Sequence, residues 1–249
     1  MPKQQFHASM SEKGKALVSM YEDMVLNGYS TRHGEQISDT YNSFEIYKFR
    51  NAIKSVFAHF QVGSVLDYGS GGCDWNKNNA FEGRSAKSYF GLEKVYRYEP
   101  SRQIDERREV DAVVCFDVLE HIFISDLPFI IRDILKRASK LAVINVACYE
   151  ANALLPNGEN AHVTIREPSW WKGIIDGISV EFPETSIFLI CSTSYGEASG
   201  FPIFCDLERH EAETFKVDNW TSFGLDSALR VIETFLSLSW PTEDKKSAD

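Results

Sequence analysis

"VLDYGSGGCDW", residues 65–75, passes from a short apolar run into a cluster of glycines and then breaks a pattern. A glycine turn after a strand lets backbone approach a ligand closely, and amide N–H groups at a following helix start face an anion. The dinucleotide version reads G-x-G-x-x-G. Gly69 and Gly71 fill its first two places, but Asp74 stands in the last. A carboxylate there faces a pyrophosphate unfavourably, so the spacing argues against a dinucleotide.

Outward from this turn, several short apolar runs lack strict polar alternation, the pattern of strands buried on both faces of a parallel sheet. "GSVLDYG" (63–69) leads into the turn, "KVYRYEP" (94–100) closes at Pro100, and "DAVVCFD" (111–117) and "KLAVINVAC" (140–148) follow. Between the last two, "SDLPFIIRDILKRA" (125–138) carries Leu127, Ile130, Ile131, Ile134 and Leu135 on one stripe, with Ser125 as the expected cap. Strand, helix, strand at this spacing predicts a right-handed crossover. "SIFLIC" and "FPIFCDL", joined by the turn-rich "STSYGEASG", predict an antiparallel pair, because that loop is too short for a helical crossover. The expected fold class is α/β, a mostly parallel sheet finished by an antiparallel pair.

Residues 1–60 read as a helical extension. Leu17, Met20, Met24 and Val25 recur at helix spacing and stop at Asn27-Gly28, and a second helix is expected after Ser43 with Ile53, Val56 and Phe57 on its apolar face. Residues 61–210 form the sheet-bearing part. Residues 211–249 carry a helix with Leu225, Leu229, Ile232 and Leu236 in phase, then a polar tail. One compact domain overall is expected.

Asp67 sits two residues before Gly69, giving D-x-G-x-G, and "DVLEHI" (117–122) closes the third strand. With the terminal antiparallel pair, these residues make the chain resemble the class I S-adenosylmethionine-dependent methyltransferases, over roughly residues 40–205. "NGENAHVTIREPSWW" also resembles a stretch of uncharacterised bacterial and phage methyltransferase-domain proteins. The resemblance implies a Rossmann-like fold and S-adenosyl-L-methionine as cofactor. It places Asp67, Tyr68, Gly69, Ser70 and Gly71 against the methionine portion, Glu99 on the ribose hydroxyls, and Asp117, Val118 and Leu119 beside the methyl group. Two departures stand out. Cys73 replaces the motif's third glycine. Only twelve residues separate Glu99 from Asp111, so the third strand is expected to be reduced or missing, and no adenine-contacting residue can be assigned.

Methyl transfer depends mostly on proximity and alignment, and needs a base only if the acceptor must lose a proton. His121, His162 and Glu120 are the candidate catalytic residues, each with a competing packing role. Tyr21 and Tyr41 are candidates to close over the cofactor. Trp170 and Trp171, after Pro168-Ser169, suit a core position better than a pocket floor.

The formal net charge of −10 disfavours nucleic acid, which leaves a small-molecule or glycan-like acceptor by elimination. The five cysteines show no C-x-x-C pair and no histidine at finger spacing, so no metal site is expected, and their odd number suits reduced thiols. No leader and no transmembrane run is visible, and a cytoplasmic protein without membrane association is expected. Oligomeric state is not legible. Two other readings stay open: a non-catalytic S-adenosylmethionine-binding protein of the same fold, and a dinucleotide-dependent oxidoreductase.

Overall fold

The computed structural model describes residues 10–38, 45–194, 201–206 and 214–217, with residues 78–80, 201–206 and 214–217 described as backbone only. Its main sheet contains β1 (Ser64–Tyr68), β2 (Lys94–Glu99), β3 (Ile104–Asp105), β4 (Val110–Phe116), β5 (Ala138–Ala147), β6 (Ser186–Ser192), β7 (Phe201–Asp206) and β8 (Thr214–Val217). Among the described residues the order is β8-β7-β6-β5-β4-β1-β2-β3. The five strands from β6 through β2 run parallel, whereas β3, β7 and β8 pair antiparallel at the two edges. The architecture is α/β with a mostly parallel sheet, and β6 with β7 is the expected antiparallel pair.

Alternation along the central strands sends neighbouring side chains to opposite cores. Val65, Val114, Val143 and Phe188 join one apolar cluster, while Leu66, Val113, Ala142 and Leu189 join the other. The first cluster is covered by α2 (Arg50–His59) through Ile53, Val56 and Phe57. The second is covered by α3 (Leu127–Arg137) and α4 (Pro168–Ser179). Trp171 is fully buried in that second cluster and Trp170 packs against it, so the tryptophan pair serves the core.

Ahead of the sheet lies α1 (Glu12–Asn27), which ends where Gly28 takes φ 79°. Its N-cap is Ser11, whose hydroxyl accepts from Gly14 N at 3.0 Å. Ser125 does not cap α3. Asp126 holds the cap position, with no capping bond from its side chain. Its carboxylate instead accepts from Ser11 N at 2.8 Å and Ser11 Oγ at 2.7 Å, so it ties the start of α1 to the start of α3.

Between β2 and β4 the chain makes only a 3₁₀ turn and the two-residue β3, which matches the expected loss of a full third strand. The glycine turn is followed by a short hairpin, Asn78–Phe81 with Arg84–Ser85, and not by a helix; the next helical turn is Ala86–Tyr89. Tyr41, Ser43 and the expected C-terminal helix lie outside the described residues.

One carboxylate fastens the amino-terminal ends of three central strands. Asp111 Oδ2 accepts from Gly63 N, Ser64 N and Ser64 Oγ, each at 2.9 Å, and Oδ1 pairs with Lys140 Nζ at 2.9 Å. Partial burial opposes ionisation, but Lys140 and these donors win and hold the Asp111 carboxyl down at about 2. Its folded value lies below the ordinary one, so the contribution is present above about pH 4 and is lost as the pH falls through about 2. Asp111→Ala is expected to lower stability by about 1–3 kcal/mol at neutral pH. Urea titrations at a series of pH values should show the gap between variant and parent closing below pH 4.

Candidate functional site

The carboxyl ends of β1, β2 and β4 meet at the glycine turn. Gly69 has φ 83° and Gly71 φ 52°, a region open mainly to glycine. A Cβ on residue 69 would lie 2.3 Å from Val118 Cγ2. Gly69 N and Ser70 N donate to Tyr98 O at 2.8 and 3.2 Å, and Gly71 N donates to Glu99 Oε2 at 2.8 Å. Cys73 is not among the residues with positive φ, and its N–H closes a turn onto Ser70 O at 3.1 Å. A third glycine is therefore not required by this backbone.

The turn, Glu99, the segment after β4 and one face of α1 enclose a cavity. Among the described residues its lining holds four acids, Glu45, Asp67, Glu99 and Asp117, and no lysine or arginine. Ser70 Oγ is buried in this turn with no hydrogen-bond partner. Asp67 Oδ2 accepts the Trp75 indole N–H at 2.7 Å rather than turn amides. Burial drives the Asp67 carboxyl up to about 7; Trp75 opposes this and the charge of Glu99 adds to it. Glu99 already accepts three bonds, since Oε1 also takes Ser101 N at 3.1 Å and Ser101 Oγ at 2.7 Å. A carboxylate offers about four lone-pair sites, so two further hydroxyl donors require the Ser101 hydroxyl to turn away.

Asp117 is exposed and sits at φ 57°, an uncommon conformation that aspartate tolerates better than most residues. Val118, His121 and Ile122 line the cavity. Leu119 does not: it is fully buried in the apolar cluster beneath α3. Tyr68 reaches the lining, but its hydroxyl donates to Asp133 on α3 at 3.1 Å and its ring packs on Tyr98. Glu120 is fully buried and is not itself among the lining residues, and its Oε1 accepts Ala147 N at 2.5 Å. Burial first, and then the charge of Asp117, pushes the Glu120 carboxyl well above the ordinary carboxylate range.

The two histidines are brought together by the long connection after β5. Thr164 N donates to Glu120 O at 2.9 Å and Thr164 Oγ1 to Ile122 O at 2.7 Å, lacing that connection onto the 119–122 segment. Asn160 shapes the approach, accepting Ala151 N and His162 N at 3.0 Å on its side-chain oxygen. The His121 and His162 ring centroids lie 4.6 Å apart at 83°. Burial, followed by His162, holds the His121 imidazole down at about 4. A ring with so low a value is neutral at pH 7 and is a weak proton acceptor.

Tyr21, on α1, lines the cavity, and its hydroxyl contacts His121 Nδ1 at 2.6 Å while donating to Ala161 O at 2.9 Å. Sequence reasoning missed Glu45, Trp75 and Ser101 as neighbours of the site: Glu45 arrives through tertiary packing, while Trp75 and Ser101 stand close in sequence to Asp67 and Glu99 but carry no motif signal. Comparison of the chain with known protein families, with curated proteins and with solved structures found no match.

Gly69→Ala combines a left-handed backbone with a collision against Val118 and is expected to cost about 1–3 kcal/mol. Chemical denaturation of Gly69→Ala, Val118→Ala and the double variant checks the contact. The double variant should recover part of the loss, and strict additivity would show that the two residues do not meet.

Proposed function

We propose that this protein is a class I, Rossmann-like methyltransferase that uses S-adenosyl-L-methionine and methylates a small-molecule or glycan-like acceptor. The observation that carries this reading is the charge of the cavity at the carboxyl ends of β1, β2 and β4, the place where open α/β sheets bind ligands. It is lined by four acids with no lysine or arginine among the described residues. Such a lining favours a ligand bearing a sulfonium and an ammonium, and opposes a pyrophosphate.

The turn adds to this. Its amides at 69, 70 and 71 are taken by Tyr98 O and Glu99, and no helix start follows them to cradle an anion. The dinucleotide-dependent oxidoreductase is therefore the weaker reading.

When bound, the cofactor supplies an electrophilic methyl group on a sulfonium. Gly69 and Gly71 give it room, Ser70 Oγ offers an unused polar atom, Glu99 orients hydroxyls, and Asp67 and Asp117 place negative charge near its cationic portion. The adjacent α1 face with Tyr21 limits access of water.

Isothermal titration with S-adenosylhomocysteine tests the reading: binding at micromolar concentration is expected, and silence at millimolar concentration overturns it. Glu99→Gln should weaken binding roughly tenfold to a hundredfold, the scale of a lost hydrogen bond to a charged group. For S-adenosylmethionine itself, affinity should fall as the pH drops below about 7, because Asp67 gains a proton there. Asp67→Asn should flatten that dependence. Reduced nicotinamide dinucleotide should give no fluorescence change.

A further inference from the structure

We propose that Asp117, His121 and His162 form a divalent-metal site at the edge of the cavity. Each offers one ligand atom, and the three atoms lie within 4.8 Å of one another. Two donors about 2.1 Å from one ion are at most about 4.2 Å apart, so small side-chain rotations close the set. Asp117 is exposed and has room for that movement.

An independent observation is the way the two imidazoles are held. A backbone carbonyl only accepts. His121 Nδ1 lies 3.0 Å from Ala161 O, and His162 Nδ1 lies 2.5 Å from Tyr149 O. His162 Nδ1 therefore carries its proton, and His121 Nδ1 does so in the arrangement in which the Tyr21 hydroxyl, 2.6 Å away, donates to Ala161 O; both Nε2 atoms then lie outside these bonds. Fixing one ring nitrogen on a carbonyl so that the other can coordinate is the usual support of a metal-binding histidine. The rings also stand nearly perpendicular, so they converge from different directions. At Asp117, the left-handed backbone is the kind of local strain that persists where surrounding structure holds a functional side chain in place.

Two imidazole nitrogens and one carboxylate suit zinc, manganese, iron or cobalt rather than calcium or magnesium. Three protein ligands leave a coordination position open, and two of them, Asp117 and His121, line the cavity. Metal binding stands on these side chains alone; its use in catalysis rests on the methyltransferase reading. There, an acceptor hydroxyl in the open position releases its proton to water more readily. Its oxygen then forms the new C–O bond, while the pair from the broken S–C bond stays on sulfur.

The test is titration of the chelator-stripped full chain with Co²⁺ and Mn²⁺, followed by calorimetry and the visible Co²⁺ spectrum, with S-adenosylhomocysteine affinity measured in parallel. One ion per chain is expected. His162→Gln, outside the cavity lining, and Asp117→Asn, which keeps size and tolerates the same backbone, should each weaken metal binding at least tenfold. His162→Gln should bind S-adenosylhomocysteine as the parent does. Absence of metal binding, or equal binding by both variants, overturns the site. Metal bound without S-adenosylhomocysteine keeps the site and sinks the methyltransferase reading; the reverse result does the opposite. If a variant melts early, Mn²⁺ broadening in the unaltered protein decides: two of the six histidines should lose their imidazole signals first. Uniform broadening, or none, overturns the site.

Discussion

Val118 occupies the space that any side chain at residue 69 would need. That contact lies where the paired strands β1 and β4 end, at the floor of the cavity. Just before Val118, the backbone at Asp117 leaves the strand through a left-handed conformation. The next residues are then sorted by position. Leu119 and Glu120 drop into the interior, and His121 returns to the cavity. The lacing from Thr164 brings the later histidine to the same place. Glycine is demanded here by a neighbour's side chain.

The sheet was legible because its signals are local and strong. The runs ending at Tyr68, Glu99, Phe116 and Ala147 are all strands, within a few residues of the boundaries their apolar patterning predicts. The stripe from Leu127 to Leu135 is a helix for the same reason. What escaped is whatever depends on a distant partner. Ser125 looked like a cap from spacing alone, but Asp126 takes the position and is held there by Ser11, 115 residues away. Asp117, His121 and His162 have no recognisable ligand spacing, since forty residues separate the histidines and tertiary contacts through Thr164 and Ala161 join them. Tyr68 and Leu119 fall in a motif, yet strand and turn periodicity give much of their surface to the core.

Opposite ends of the sheet treat carboxylates in opposite ways. At the amino ends, Asp111 is surrounded by donors and a lysine, and its acidity rises. At the carboxyl ends, Asp67 is buried near Glu99 with a single indole donor, and its acidity falls. The first arrangement is self-sufficient and needs nothing more to be stable. The second brings carboxylates close together in a buried setting, which favours the protonated form of Asp67.

Cys73 stands where the motif would carry its last glycine, within the lining of the cavity. A sulfhydryl in such a place invites alkylation and oxidation, both of which proceed through the thiolate. Burial and the nearby charge of Asp67 raise the Cys73 thiol to about 12, so that anion is scarce at neutral pH. The same acidic, enclosed surroundings that suit a cation keep this sulfur chemically quiet. The turn thus carries a nucleophile at a reactive address in a form that electrophiles pass over.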